Sequence, residues 1–138
     1  MTLHVEVVIA DRQLWSGEAG MVIAKTLEGD IGVLTSHPPV LGILAEGSVV
    51  RILDPRSGEV TEAGEEVTAA VSGGFLSVAN DRVSILATDA QLGSDVDKAA
   101  ARSELDTILS EAGAPSAADE PSEAKYARAQ LRAAGEQA

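Results

Sequence analysis

Few side chains in this sequence have the type and spacing that chemistry requires. His4 and His37 are the only two histidines, they lie far apart, and no cysteine accompanies them, so no metal-ligand spacing emerges. Ser72 sits in Ser72-Gly73-Gly74 without the Gly-x-Ser-x-Gly frame of a nucleophile elbow, and reads as a turn or bulge. Gly29-Asp30-Ile31-Gly32 carries two glycines but no following Gly-Lys-Ser/Thr. It reads as a tight turn entering a strand, with glycine supplying a positive φ, and not as a phosphate loop. The carboxylates are numerous, and none pairs with an apolar setting that would raise its pKa. One charge pattern stands out. Lys125, Arg128 and Arg132 recur at i, i+3 and i+7, one helical face, and between Ser122 and Ala133 three basic residues face one acid, Glu123, for a net +2. The plain reading is a solvated face complementing the helix dipole, and the sharper one a docking face for an acidic partner surface.

The elements that would position these residues fall into two halves. From Thr2 to about Ala90 short apolar runs alternate with turn signals. Leu3, Val5, Val7 and Ile9 alternate with His4, Glu6 and Val8 at the period of a half-buried strand. Further runs are Met21–Ala24, Ile31–Leu34, Val49–Leu53, Val67–Val71, Phe75–Val78 and Val83–Leu86. The turn signals include Ser16-Gly17, Glu28-Gly29-Asp30, Glu46-Gly47 and Ser72-Gly73-Gly74, with hairpin tips expected at Asp54–Gly58 and Asn80-Asp81. Strands this short and regularly spaced predict an antiparallel sandwich or flattened barrel. After Ala90 the period becomes helical. Ser94 is a candidate N-cap, Leu105, Ile108, Leu109 and Ala112 share one face, and Gly113 and Pro115 end the helix. Ala114–Pro121 reads as a linker, and a second helix starts near Ser122 with Ala124, Ala127, Leu131 and Ala134 along one stripe. The predicted organisation is a β body over residues 1–90 and a helical hairpin over 91–138. Helices this short and thinly apolar depend on docking, either to the body or to another protein.

Composition narrows the function class. The 138 residues carry a formal net charge of -12, which repels nucleic acid and anionic lipid. Trp15, Phe75 and Tyr126 are the only aromatics, so a core must come from Val, Ile, Leu and Ala. The absence of cysteine fits a reducing compartment. The start Met1-Thr2-Leu3-His4-Val5 has no basic-then-apolar leader, and no run approaches the roughly 18 apolar residues of a membrane span, so a cytoplasmic or peripheral location is expected. A protein acting through contacts with partner proteins, without chemistry of its own, is the expectation.

An ordered set of motifs resembles the epsilon subunit of bacterial F-type ATP synthase from Leu3 to about Arg132. Val5–Val8 followed by Trp15–Ala19 is similar to that family's opening strands. Glu28–Leu34, then His37-Pro38-Pro39-Val40-Leu41, resembles its most specific signature, and Val71–Val78 with Val83–Ala87 its closing strands. Asp95-Val96-Asp97 resembles the start of its first tail helix, and Ala129–Arg132 is similar to its second tail helix. The resemblance implies an α+β fold, a β-sandwich of about ten strands followed by a two-helix hairpin. It implies a non-catalytic central-stalk rotor subunit, peripheral on the cytoplasmic side of the inner or plasma membrane. The complex couples proton flow to ATP synthesis, and the helical tail restrains ATP hydrolysis. The implied partners are the gamma subunit, the c-subunit ring and, through the tail, the alpha/beta catalytic head. The implied contacts are Gly29, Asp30, Ile31 and Gly32 toward the rotor ring, His37 and Pro38 toward the stalk, and Lys125, Arg128 and Arg132 for tail docking. No catalytic residue, metal or resident cofactor is implied. Some family members bind ATP through Ile/Leu-Asp-x-x-Arg-Ala. Here Val96–Ala101 has Ala100 where the arginine stands, and Arg102 lies roughly 200° further round the helix, so no useful ATP site is expected. Two other readings remain. A free-standing ligand-binding β-sandwich lacks aromatic platforms, and a Ser72 hydrolase lacks a His/Asp frame.

Overall fold

The computed structural model describes residues 2–53, 66–112 and 121–135. Ten strands come first: β1 Leu3–Ile9, β2 Arg12–Ala19, β3 Met21–Thr26, β4 Gly29–Val33, β5 Val40–Leu44, β6 Ser48–Leu53, β7 Glu66–Val71, β8 Gly74–Ala79, β9 Arg82–Ala87 and β10 Ala90–Leu92. A 3₁₀ turn over Gly93–Asp95 leads to α1 Lys98–Ala112, and α2 spans Ser122–Ala133. The predicted fold class, strands then two helices, is the one observed.

Period-2 patterning does what it predicts. Leu3, Val5 and Val7 of β1 are buried while His4, Glu6 and Val8 are partly exposed, and Val50 and Ile52 of β6 alternate in the same way. The interior is aliphatic, with Leu44, Ile52, Leu76 and Ile85 among its fully buried large side chains. Each contributes roughly 1.5–3 kcal/mol of burial free energy.

The sheet runs β10-β7-β6-β3-β5-β8-β9-β1-β2, with β4 paired to β3 off this path. Among the described residues every pairing is antiparallel but one: β1 lies parallel to β9, Val5 opposite Val83 and Val7 opposite Ile85. The expected antiparallel sandwich thus includes one parallel pair. Parallel neighbours need a long connection, and the strands between β1 and β9 supply it. Ser16-Gly17 is likewise no turn. Gly17 sits within β2 opposite Val5, and the register slips between Val7 and Val8, where Trp15 and Gln13 are the successive partners and Leu14 is left over as a bulge.

The Asn80-Asp81 tip is a two-residue hairpin loop between the paired residues Ala79 and Arg82. The predicted Asp54–Gly58 tip, the helix end at Gly113 and the linker up to residue 120 lie outside the described residues. The strands flanking the former do pair, Leu53 opposite Glu66. The strand region extends past residue 90, because Ala90–Leu92 pairs with Val71–Ala69 of β7. That extra strand moves the helix start. Ser94 falls in the 3₁₀ turn, and the cap of α1 is Asp97, whose Oδ1 accepts the Ala100 N–H at 3.1 Å.

The tail is docked. Ala124, Ala127 and Leu131 of α2 pack on Ala101 and Leu105 of α1, with Ile108 and Leu109 beside them, as the helical stripes predict. The opposite side of α2 carries Ala129 and Ala133 onto Ala70 of β7, with Val49 and Tyr126 alongside. No helix among the described residues is long and apolar enough to cross a membrane.

Candidate functional site

The residues singled out from sequence occupy three separate places. The first is the β3–β4 hairpin. Thr26 Oγ1 donates to the Gly29 carbonyl at 2.8 Å and accepts the Glu28 N–H at 3.2 Å, which closes the turn. Gly29 has φ 121°, a conformation that side chains with a Cβ rarely adopt. Asp30, Ile31 and Gly32 are not turn residues, however. They form β4, with Asp30 opposite Lys25 and Gly32 opposite Ile23. The turn is Thr26–Gly29 and its exposed tip is Leu27-Glu28. Gly-Asp composition signalled a turn, but the strand pairing with β3 claimed those residues.

The second place is the β4–β5 loop, which holds His37 and Pro38. The His37 N–H donates to the Leu34 carbonyl at 3.3 Å, and His37 Nδ1 lies 2.7 Å from the Pro38 carbonyl oxygen. Ser36 adopts a left-handed conformation, φ 65°, and its N–H donates to Asp81 Oδ1 from the far hairpin tip. The two places sit at opposite ends of the five-residue β4, roughly 13–17 Å apart along the strand. They are not one site.

The third place is a groove of about 970 Å³ between α2 and the β3–β6 side of the sandwich. Lys125, Arg128 and Arg132 all line it, together with Lys25 and Arg51 of the body. Five cations against the three acids Asp30, Glu46 and Glu66 give the groove +2, in a chain of net charge -12. Lys125 Nζ stands 4.0 Å from Glu46 Oε2, and the Arg132 guanidinium donates to the Gly47 carbonyl at 3.3 Å. Arg51 pairs with Glu66 at 2.9 Å. The three tail cations share one face, as the spacing predicts, but in this docked position they look onto the molecule's own sandwich.

Sequence reasoning missed how the tail sits down. A Cβ at Gly47 would stand 2.4 Å from the Lys125 backbone carbon, and one at Gly93 would stand 2.2 Å from the Ala133 carbonyl oxygen. Glycine at both points lets the α2 backbone reach the body. Thr68 Oγ1 donates to the Ala133 carbonyl, Gln130 Nε2 to Gln91 Oε1 at 2.8 Å, and Ser122 Oγ to Glu46 Oε2 at 3.1 Å. Tyr126 is half-buried in this contact. Burial, then the negative charges of Asp89 and Glu104, push its phenol up to about 12. In the sequence Glu46-Gly47 reads as a turn signal, and no pattern singles out Gly93.

A row of exposed apolar side chains was missed as well. Ile43, Phe75 and Leu86 stand opposite one another on β5, β8 and β9, and Val8 of β1 continues the row beside Leu86. Leu41 precedes Ile43 by two residues on the same strand face. It is 73% exposed, with Phe75 and Ile43 both at 52%. Such a row is an ordinary mark of a protein-contact surface.

Ser72 has a structural task. Its Oγ donates to the Asp89 carbonyl at 3.1 Å and accepts the Asp89 N–H at 3.0 Å, tying the β7–β8 turn to the approach of β10. No imidazole takes part, so the geometry of a hydrolase nucleophile is not present at Ser72. Among the described residues no group of three or more His, Cys, Asp or Glu side chains is arranged to hold a metal ion.

The profile of the family "ATP synthase, Delta/Epsilon chain, beta-sandwich domain" matches residues 2–93, the ten strands and the 3₁₀ entry. A protein of Thermobifida fusca (strain YX) named ATP synthase epsilon chain is 50% identical over 135 residues, covering 96% of this chain and 91% of the relative. The chain belongs to the ATP synthase epsilon chain family. Another family member, from Mycobacterium avium (strain 104), is 38% identical over 96% of this chain and 95% of its own length, so the likeness includes the helical tail. Among solved structures, a chain of the Euglena gracilis mitochondrial ATP synthase (OSCP/F1/c-ring in rotational state 1) superposes with TM-score 0.70 at 18% identity, covering 96% of this chain and 79% of that one. A chain of the Tetrahymena thermophila mitochondrial ATP synthase central stalk and c-ring gives 0.52 at 18% identity, covering 75% and 72%. At that identity these two support the fold alone.

Proposed function

We propose that the chain is a rotor subunit of the central stalk of an F-type ATP synthase, non-catalytic itself, in a complex that couples proton flow to ATP synthesis. The observation that carries this reading is the 50% identity to an ATP synthase epsilon chain along 96% of the chain, body and tail together. It works peripherally on the cytoplasmic side of the membrane that holds the complex. The exposed Ile43–Phe75–Leu86 row and the His37-Pro38 loop face the gamma subunit. The β3–β4 hairpin, with Glu28 at its tip and Gly29–Gly32 behind it, meets the c-subunit ring. The tail restrains ATP hydrolysis when it leaves the body and presents Lys125, Arg128 and Arg132 to acidic surface on the catalytic head.

Co-purification from detergent-solubilised membranes tests the placement. The chain is expected to elute with a gamma subunit and c subunits, and recovery free of both overturns the reading. Cysteine at Glu28 or Asp30 is expected to crosslink to a cysteine in the polar loop of the c subunit. Crosslinking to the catalytic head alone reverses the proposed orientation.

A further inference from the structure

The β8–β9 turn breaks a local rule. Asn80 and Asp81 have φ of 52° and 60°, both left-handed, in a two-residue loop between the paired Ala79 and Arg82. In such a turn the second position is the natural place for glycine, because a side chain there crowds its own backbone. Aspartate stands there instead. A departure from local preference points to a compensating contact elsewhere.

The contact is visible. Asp81 Oδ1 accepts the N–H of Ser36, 45 residues away in the β4–β5 loop. The Asp81 carbonyl accepts the His4 N–H at 2.8 Å, which anchors the turn to the start of β1. Ser36 is itself left-handed, so its N–H points out of the line of the chain and toward the turn. The residues that follow Ser36 have little backbone with which to tie themselves down. Pro38 and Pro39 carry no N–H, and the His37 N–H closes locally on the Leu34 carbonyl. The loop's tie to a distant strand end therefore runs through the Asp81 carboxylate.

We propose that Asp81 is a positioning residue, whose carboxylate fixes Ser36 and thereby holds the His37-Pro38 loop in the shape that meets the stalk partner. The inference rests on the stalk placement for its consequence, though the tie itself stands apart from that reading. Three full-length variants separate the possibilities. Asp81→Gly relieves the left-handed backbone and removes the acceptor, so the fold is retained with an unchanged or higher melting temperature. Asp81→Asn keeps a side-chain oxygen that can accept the same bond, and Asp81→Ala removes it without relieving the backbone.

Two measurements are made on each variant. One is amide hydrogen exchange at Ser36 and His37. The other is the yield of crosslinking from cysteine at position 37 to the gamma subunit in the assembled complex. In Asp81→Gly and Asp81→Ala the Ser36 amide is expected to exchange faster by on the order of tenfold, the loss of one hydrogen bond, with crosslinking reduced severalfold. Asp81→Asn should stay near wild type in both. Unchanged Ser36 exchange in Asp81→Gly overturns the tie. Faster exchange with undiminished crosslinking overturns the positioning role. Faster exchange in a protein whose wild-type loop never crosslinks to gamma upholds the tie and removes the stalk placement instead.

Discussion

The sandwich and the helical tail are built from different materials. The sandwich interior is filled by Leu, Ile and Val side chains at or near zero exposure, such as Leu3, Ile52, Leu76 and Ile85. The buried seam between α2 and the body is Ala70, Ala129 and Ala133, with partly buried Val49 and Tyr126 beside them and glycines at 47 and 93 where backbones meet. Large side chains removed from water make the first region a permanent unit. Alanines and glycines give the second a close fit with little apolar area, hence modest docking free energy that is sensitive to a single added methyl. A tail seated in this way has a well-defined docked position and still leaves it at low cost.

Four changes probe that contrast, in descending order of effect. Ile52→Ala or Leu76→Ala removes buried aliphatic volume from the sandwich. Each is expected to destabilise by about 2–5 kcal/mol, read as a lower denaturant midpoint for the whole body. A loss below about 1 kcal/mol at both positions contradicts the picture of a tightly filled core. Gly93→Ala and Gly47→Ala come next. The added Cβ meets α2 backbone, so each should weaken tail docking by about 1–3 kcal/mol. Limited proteolysis and hydrogen exchange should then find α2 exposed while the β1–β9 amides stay protected. If the body unfolds together with the tail, the two regions are one cooperative unit and the contrast fails.

Tyr126 supplies a pH handle on the same seam. Its phenol is raised from 10.0 to about 12 by burial first and by Asp89 and Glu104 second. A raised pKa in the docked state means that the docked form holds the proton more tightly. Docking is therefore fully supported below pH 10 and weakens as pH rises from 10 through about 12. A tyrosinate absorbance titration should show a midpoint well above that of free tyrosine in the wild type, and closer to it in Gly93→Ala. Equal midpoints in the two proteins refute a docking-dependent environment.

The smallest effect belongs to the basic groove. Lys125 and Glu46 are partly solvated and 4.0 Å apart, so Lys125→Ala should shift docking by no more than about 1 kcal/mol. Replacing Lys125, Arg128 and Arg132 together by Ala should raise ATP hydrolysis by the assembled complex at low salt, with the difference shrinking at high salt. Hydrolysis equal to wild type at both salt levels, while truncation after Gly93 raises it, would leave these cations as a solvated face.

Much of this architecture is legible in the residues themselves. A period of two over Leu3–Ile9, the Asn80-Asp81 pair, and the faces Leu105–Ile108–Leu109 and Ala124–Ala127–Leu131 report geometry within a single element. Backbone twist, side-chain direction and burial repeat there over a few residues. The ordered motifs from Val5 to Arg132 also carried the family. What reaches across the chain had to wait for the tertiary structure. The parallel seat of β1 beside β9, the two strands that absorb Gly17 and Asp30, and the exposure of Ile43, Phe75 and Leu86 depend on which strands become neighbours. So do Gly47 and Gly93 under α2, and Asp81 beneath Ser36. An apolar residue in a strand has the same letter whether its face meets the core or solvent, and a glycine has the same letter in a turn as under a helix. Distant segments settle these matters by competing for the same buried surface and the same hydrogen bonds, and that competition is decided only when the whole chain is packed.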